Sequence, residues 1–426
     1  MRVAGVVTLC LAAAAAGLGD RACAEAADDA EEALALHGFL LGLLSGRTTG
    51  EEPPDRGDYV LGESRLRLEL GGALGSASSS FLAKADLFHD GVAHQDGVEI
   101  REAYAAYAAG PLDLRAGRLI GTWGVGDLLF VNDVFPKDWE SLFAGRPLEY
   151  LKPGVDGVQV RFSSSALNTE GFAIPFFTPD RLPSAARFVL GGPLAGLPAP
   201  RRELPVPRFR NAELALRIYR QVAGCDASLY AYRGFWRTPS LRVDSSAAPA
   251  AMAAFYPRLS VYGASAQRGL AAGAASLEAG YYHSRDDRGG SDPATPNSQW
   301  RLLAGYQRQV AADLTAGLQI YGEVMADYGA YRDSLPPPEP RQDRLRGVTS
   351  LRLTQLLRYQ TWKLSLFAAY SPTDRDYFWQ PEVSCRLSDN LGVWAGADVF
   401  GGNKETTLFG QFDRSDNGYL GTRFDF

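Results

Sequence analysis

Apolar and polar residues alternate one for one through most of this chain, in runs of about ten divided by Gly-, Pro- and Asp-rich stretches. In "SRLRLEL", Leu66, Leu68 and Leu70 share one face, and Arg65, Arg67 and Glu69 share the other. "NAELALRIY" sets Ala212, Leu214, Leu216 and Ile218 against Glu213 and Arg217. "DLTAGLQIYGEV" sets Leu314, Ala316, Leu318 and Ile320 against Thr315, Gln319, Tyr321 and Glu323. "WKLSLFAAY" sets Trp362, Leu364, Leu366 and Ala368 against Lys363 and Ser365. A period of two is the mark of a strand, whose side chains point to opposite faces in turn. One apolar face per strand suits a soluble sandwich and a membrane barrel equally well.

Loop lengths separate those two folds. Very short links at 109–111, 222–226, 311–314, 359–361 and 388–390 alternate with mostly longer, polar, Pro-rich ones. The longer set covers 47–58, 122–154, 178–209, 237–255, 285–296, 326–345 and 402–416. Outer-membrane barrels have short periplasmic turns and long extracellular loops, whereas a sandwich gives no reason for the alternation. The spacing predicts about eighteen strands, the first near 35–46 and the last near 417–426. An even number returns the chain to the periplasmic side on which it starts, as ring closure requires. The first strand, "LHGFLLGLLSG", is apolar on both faces and is kept because parity fails without it. The last, "NGYLGTRFDF", sets Leu420, Thr422, Phe424 and Phe426 against Tyr419, Gly421, Arg423 and Asp425. A terminal aromatic strand of this kind resembles the signal read by barrel-assembly machinery, which becomes an expected partner through Phe426. Tyr107, Trp236, Trp300, Tyr370, Tyr377 and Trp379 lie near strand ends, where interfacial aromatic girdles sit. The expected fold is all-β: a transmembrane antiparallel up-and-down β-barrel with outer-membrane lipid around it.

The N-terminus adds an export signal. Met1-Arg2 precedes the apolar run "VAGVVTLCLAAAAAGLG", and Ala22 and Ala24 give an A-x-A cleavage pattern. Residues 1–24 are expected to be a signal peptide, 25–34 a short acidic periplasmic segment, and 35–426 a single barrel domain. No later apolar stretch approaches the roughly 20 residues of a membrane helix. Cys225 and Cys385 remain after cleavage and are expected to sit far apart, as lone thiols. A net charge of −6 without basic clustering argues against a nucleic-acid partner. His37, His89, His94 and His283 show no metal-ligand spacing, and no nucleophile elbow or phosphate loop occurs. No catalytic residue, metal or cofactor is therefore expected. "HDGVAHQDG", residues 89–97, reads as a polar loop before it reads as a cation site.

A mid-membrane Arg facing lipid costs about 2–4 kcal/mol, so charged strand positions mark the lumen. The basic pore-lining set is Arg65, Arg67, Lys84, Arg115, Arg161, Arg217, Arg258, Arg301, Arg352, Lys363, Arg386 and Arg423. The acidic set is Glu63, Glu69, Asp86, Glu102, Glu213, Glu278, Glu323, Glu382, Asp398 and Asp425. Arg118 departs from the pattern, because alternation from Leu114 and Ala116 aims it at lipid. A bulge near Gly117, or a place at the rim, would resolve that. Eighteen strands leave an aqueous channel, in which such charges steer anionic or polyhydroxylated solutes or brace the wall as ion pairs.

The strand-length repeats, loop parity, aromatic terminus and the run "LRAGRLIGTWGVGD" together resemble large outer-membrane porins of the alginate-export-like, roughly eighteen-stranded type. Gly117-Arg118 and Trp123-Gly124 carry the local part of that resemblance. It covers most of the chain as architecture and implies passage of a solute across the bacterial outer membrane.

Residues 122–154 break the alternation. A link of this length is functional or disordered, and Leu128, Leu129, Phe130, Val134, Phe135, Trp139, Leu142 and Phe143 demand burial. "PKDWESLF" predicts a short helix, with Pro136 in its first turn and Asp133 near its cap. Phe135, Trp139, Leu142 and Phe143 then share one face. The segment is expected to fold into the mouth or lumen and narrow the pore. Its constriction residues are Asp133, Lys137, Asp138, Trp139 and Glu140, with the four charged ones toward the channel. The leading function is passive or facilitated passage of small polar or anionic solutes. Two other classes stay open: a structural barrel sheathing a periplasmic electron carrier or export complex, and a barrel enzyme or adhesin.

Overall fold

The computed structural model describes residues 34–48, 57–75, 78–191, 200–244, 251–335 and 341–426. The signal peptide expected at 1–24, and all but the last residue of the acidic segment, lie outside the described residues.

Strands form where the sequence alternates. They are β1 (Ala35–Arg47), β2 (Tyr59–Ala73), β3 (Ser79–Asp90), β4 (Gln95–Ala109), β5 (Leu112–Leu119), β6 (Val155–Ser163) and β7 (Asn168–Ile174). Next come β8 (Arg201–Glu203), β9 (Glu213–Val222), β10 (Cys225–Phe235), β11 (Ser240–Asp244), β12 (Ala251–Phe255), β13 (Arg258–Leu270) and β14 (Gly273–Ser284). The last are β15 (Gln299–Ala311), β16 (Leu314–Met325), β17 (Leu345–Leu357), β18 (Trp362–Ser371), β19 (Asp376–Arg386), β20 (Leu391–Gly402) and β21 (Asn417–Asp425). Eighteen of these make one antiparallel ring in chain order, and β21 pairs back onto β1 to close it. The other three, β8, β11 and β12, form a separate small sheet at the end that carries the long loops.

At the opposite end, β9 and β10 are joined by Ala223-Gly224, and β13 and β14 by Ala271-Ala272. All four residues have positive φ, between 47° and 75°. Two-residue links of that hand match the twist of the strands they join. In barrels of this class the short turns are periplasmic and the long loops extracellular, which defines the outer end.

The outward face carries exposed apolar side chains round the ring, among them Leu68, Leu87, Val160, Leu216, Leu229, Leu277, Leu302, Ile320, Leu364 and Leu420. A belt this continuous needs lipid against it, since water-soluble proteins keep exposed apolar patches small. Trp300, Tyr370 and Trp379 are exposed at strand ends. Trp236 is different. It continues the inward parity of Tyr230 and Tyr232, is buried, and packs on Tyr282 with ring centroids 5.5 Å apart.

The core lies inside the ring and not between two sheets. This accounts for β1, apolar on both faces: Phe39, Leu41 and Leu43 point inward and are buried with Leu142, Phe143 and Tyr150 of the 122–154 segment. It also corrects Arg258. On β13 the inward residues are the apolar Leu259 and Val261, both buried, so Arg258 faces outward at the outer end and pairs with Asp286 at 2.6 Å. Polar-in and apolar-out fails wherever the lumen is filled by packed side chains.

One bulge re-aims several charges. The β3–β4 register passes from Lys84↔Glu102 to Ala85↔Ile100, leaving Arg101 as the extra residue. Glu99, Arg101 and Glu102 all reach lumen partners as a result: Arg65 at 2.8 Å, the Glu149 carbonyl at 2.8 Å and Lys84 at 3.4 Å. Glu99 and Arg101 are lumen residues that strict alternation missed. Arg118 needs no register shift. It stands opposite Asp156 at the outer ends of β5 and β6, 3.1 Å away, on the face shared with Val158 and Val160. Cys225 and Cys385 are free thiols on β10 and β19.

Candidate functional site

The 122–154 segment builds one short α-helix, α1 (Trp139–Phe143), shorter than the sequence predicts, and a 3-10 turn at Leu148–Leu151. Asp138 is its cap and accepts from the Ser141 amide at 2.8 Å. The expected cap, Asp133, instead pairs with Lys137 and Lys152, each at 3.0 Å. Pro136 lies two residues ahead of the cap. Phe143, at the end of α1, meets Phe378, Phe400 and Phe412 with centroids 5.0–5.3 Å apart. Phe135 meets Trp123 at 5.1 Å and Phe172 at 4.8 Å. Phe378 and Phe400 belong to β19 and β20, whereas Phe172 belongs to β7. The segment therefore spans between distant parts of the inner wall, held by aromatic contacts at both sides.

Polar anchors fix it between those contacts. Trp123 donates its indole N–H to Glu170 at 2.8 Å, and Glu278 of β14 accepts from the amides of Val125 and Asn132. Gly263 and Gly280 face each other across β13 and β14 and leave a flat socket. The Asn132 amide docks there, donating to the Ala264 and Ala279 carbonyls at 3.3 and 3.1 Å. A Cβ on Gly263 would lie 1.7 Å from Asn132 Oδ1, so glycine is required for that approach. Farther along, Arg146 donates to Glu63 at 2.7 Å, and Glu149 pairs with Arg423 at 3.0 Å and with Arg67. Asp127 pairs with Arg352 of β17.

A second excursion after β7, described over residues 175–191, reinforces the first. Arg187 donates to the Val60 carbonyl at 3.0 Å and to Glu140 at 3.3 Å, and pairs with Asp90. Arg181 bonds Glu140 at 2.9 Å and lies 3.5 Å from Asp138. Arg237 ties three parts together, donating to the carbonyls of Val134 and Thr178 and to Glu213. Arg146, Arg187, Arg237 and Glu149 were not legible as lumen groups, since they lie in loops where no period assigns a face.

The five residues expected at the constriction are all in this segment, but the charged ones do not face open channel. Asp133, Lys137, Asp138 and Glu140 are buried, and Trp139 is half-buried between Phe130 and Phe143. The difference from the channel-facing arrangement is physical: wall lies on one side and Arg181, Ser184 and Arg187 of the second excursion on the other, so both faces of α1 are covered. Burial pushes the Lys137 ammonium below its usual value, against the pull of Asp133. Burial likewise pushes the Asp138 carboxyl up, against Arg181 and Arg146. Burial would also raise Glu140, yet Arg181, the Ser184 amide and Arg187 together hold it below the ordinary glutamate range.

The expected wall residues divide by partner. Arg65 is enclosed by Glu63, Asp86 and Glu99 at 2.8–2.9 Å, and Arg67 by Asp86 at 2.6 Å and by Glu149. Lys84 lies between Glu69 and Glu102, Arg115 beside Asp113, and Arg161 beside Glu170. Arg301 lies 4.0 Å over the Tyr282 ring and 3.5 Å from Glu323. Arg217 bonds the Ser228 hydroxyl at 3.1 Å and has no carboxylate partner among the described residues. Arg386 is exposed at the turn end of β19. Beneath the segment a cavity of about 110 Å³ is lined by Asp127, Ser276, Gln307, Gln319 and Arg352 among others.

Among the described residues no three His, Cys, Asp or Glu side chains gather in a way that could hold a metal. Of the run 89–97 expected as a polar loop, only residues 91–94 form the turn between β3 and β4; His89 bonds Asp96 across those strands at 2.7 Å, and Asp90 accepts from the amides of Val92 and Ala93.

No protein-family model and no curated protein sequence matches the chain. Solved structures do match it. Pseudomonas aeruginosa OccK5 (OpdH) superposes with a TM-score of 0.55 at 11% identity, over 93% of this chain and 98% of that one. Acinetobacter baumannii OccAB3 gives 0.55 at 10% identity, over 92% and 98%. Pseudomonas aeruginosa OccK11 (OpdR) gives 0.53 at 11% identity, over 92% and 95%. This is the fold of a large outer-membrane porin. Identity so low carries the fold and nothing finer.

Proposed function

We propose that the chain is a porin-like channel of the bacterial outer membrane for small polar or anionic solutes, with residues 122–154 narrowing its pore. One observation carries this reading: a segment anchored to distant parts of the inner wall lies inside a closed eighteen-stranded ring. A barrel of that size without such a segment encloses a wide aqueous lumen. The buried Lys137, Asp138 and Glu140 then hold the segment in place. Asp127 and Arg352 border the remaining cavity and are the groups a solute meets. Arg217, without an acid partner among the described residues, favours anions on the β9 wall. A lumen occupied by its own chain leaves less room for a sheathed periplasmic partner. Phe426, whose main chain exchanges two hydrogen bonds of 3.0 Å with Gly38, is the proposed assembly signal.

Reconstitution in planar bilayers tests the channel. Removing residues 127–147 is expected to raise single-channel conductance several-fold and weaken ion preference. A correctly inserted deletion variant with unchanged conductance and preference would sink the constriction. Purified protein that conducts nothing would favour the sheath.

A further inference from the structure

Arginines on the outward face of a membrane barrel need a reason, because that face meets lipid. Arg233 lies on β10 in the outward row of Leu229 and Ala231, and is paired across the sheet with Leu214 and Ser260. Arg258 begins β13 on the same face, and Arg285 follows β14, its amide bonded to the Arg258 carbonyl at 3.0 Å. Arg210 precedes β9, and Arg242 reaches in from the small sheet. These five line one cleft of about 680 Å³ between the barrel rim and the sheet of β8, β11 and β12.

Among the described residues the cleft is lined by two acids, Glu203, which is engaged by Arg201 and Arg242, and Asp286, which is engaged by Arg258. Arg210, Arg233 and Arg285 have no carboxylate partner among the described residues. Burial, with the nearby Arg233 and Arg258, holds the Arg285 guanidinium below its ordinary value against the opposing pull of Asp286. Directly beneath lie the exposed Leu214, Leu216, Leu229 and Tyr262, which form the apolar belt. Phe209, beside Arg210, is fully exposed.

We propose that this cleft binds the phosphorylated headgroup of a glycolipid in the outer leaflet. Guanidinium forks match phosphate oxygens in pairs, and the leucines below would contact the lipid's acyl chains. The position at the outer end of the belt is where such a headgroup lies. It distinguishes this cleft from any solute site in the lumen.

The test measures binding of bisphosphorylated lipid A to the purified full-length barrel in detergent, beside the variant R210Q/R233Q/R285Q. At roughly a factor of five for each arginine near an anionic lipid surface, the variant is expected to bind about a hundredfold more weakly. Its heat-modifiable gel mobility and single-channel conductance should match the parent, because all three side chains face away from the lumen. Dephosphorylated lipid A should bind the parent as weakly as the phosphorylated form binds the variant. Inorganic phosphate should compete only weakly. Equal binding by parent and variant, or equal binding of both lipid forms, would overturn the proposal. Inorganic phosphate binding as tightly as the lipid would overturn the lipid as its source.

Discussion

Arg146 and Arg187 inside the ring, and Arg210 and Arg285 at its outer rim, all come from loops that leave the same barrel. The inner two are buried and each holds at least one carboxylate: Glu63 for Arg146, Asp90 and Glu140 for Arg187. The outer two have none among the described residues. A charge removed from water costs several kcal/mol unless a partner is built beside it. A charge at a wet rim can leave neutralisation to whatever arrives. Counter-ion supply thus separates groups that hold the structure from groups free to bind.

The strongest way to break this comparison is Arg146→Met. It leaves Glu63 with Arg65 alone and removes the 3.0 Å bond to the Ser141 hydroxyl. Barrel stability in urea is expected to fall by about 3–5 kcal/mol; a neutral result would mean that the inner pairs brace nothing. Gly263→Leu comes next. It fills the socket of Asn132, and overpacking is expected to cost roughly 1–3 kcal/mol while lifting the segment and raising conductance. A stable variant with parental conductance would show that the segment does not depend on this anchor.

Acid gives a subtler separation. Glu140 is held below the ordinary glutamate value of 4.5, so its stabilising contribution is full above that value. It is lost as pH falls through the lowered one. Asp138, and Asp180 of the second excursion, which accepts from the Lys137 amide at 2.8 Å, are both raised by burial; they act in the opposite sense and favour the folded segment as they take up protons. Glu140→Gln isolates the first effect: the parent is expected to gain conductance only on acidification below the ordinary glutamate value of 4.5. The variant should already be more conductive at neutral pH and change little. Parallel pH curves would remove Glu140 from the account. The smallest expected effect is at the rim, where Arg210→Gln or Arg285→Gln should change stability by no more than about 0.5 kcal/mol. A larger loss would mean that these arginines are braced after all.

The barrel was legible because lipid enforces alternation: Leu214, Leu216 and Ile218 must all face one way for β9 to cross a membrane. Ring closure could be inferred from loop parity. Arg101 could not be placed, since one extra residue changes the facing of its neighbours without changing composition. Arg258 and Trp236 were misplaced for a different reason. The upper lumen is filled by packed side chains, and there an apolar face such as Leu259 and Val261 points inward. For the 122–154 segment, the apolar spacing of Phe135, Trp139, Leu142 and Phe143 showed that it must be buried. It could not show that Lys137 and Glu140 would be buried too, because their partners come from other segments, in the case of Arg187 47 residues away.

Asn417 bears on the order in which these parts come together. Its side-chain amide donates to the carbonyl of Phe143, 274 residues earlier, and its oxygen accepts from the Ser45 hydroxyl, 372 residues earlier. One side chain thus touches the seam between β1 and β21 and the end of α1. A chain made from its N-terminus has the 122–154 segment long before the strand that carries Asn417 exists. Contacts so distant in sequence are slow to form. The last strand to arrive is also the one that registers, through a single amide, whether the earlier segment is in its place.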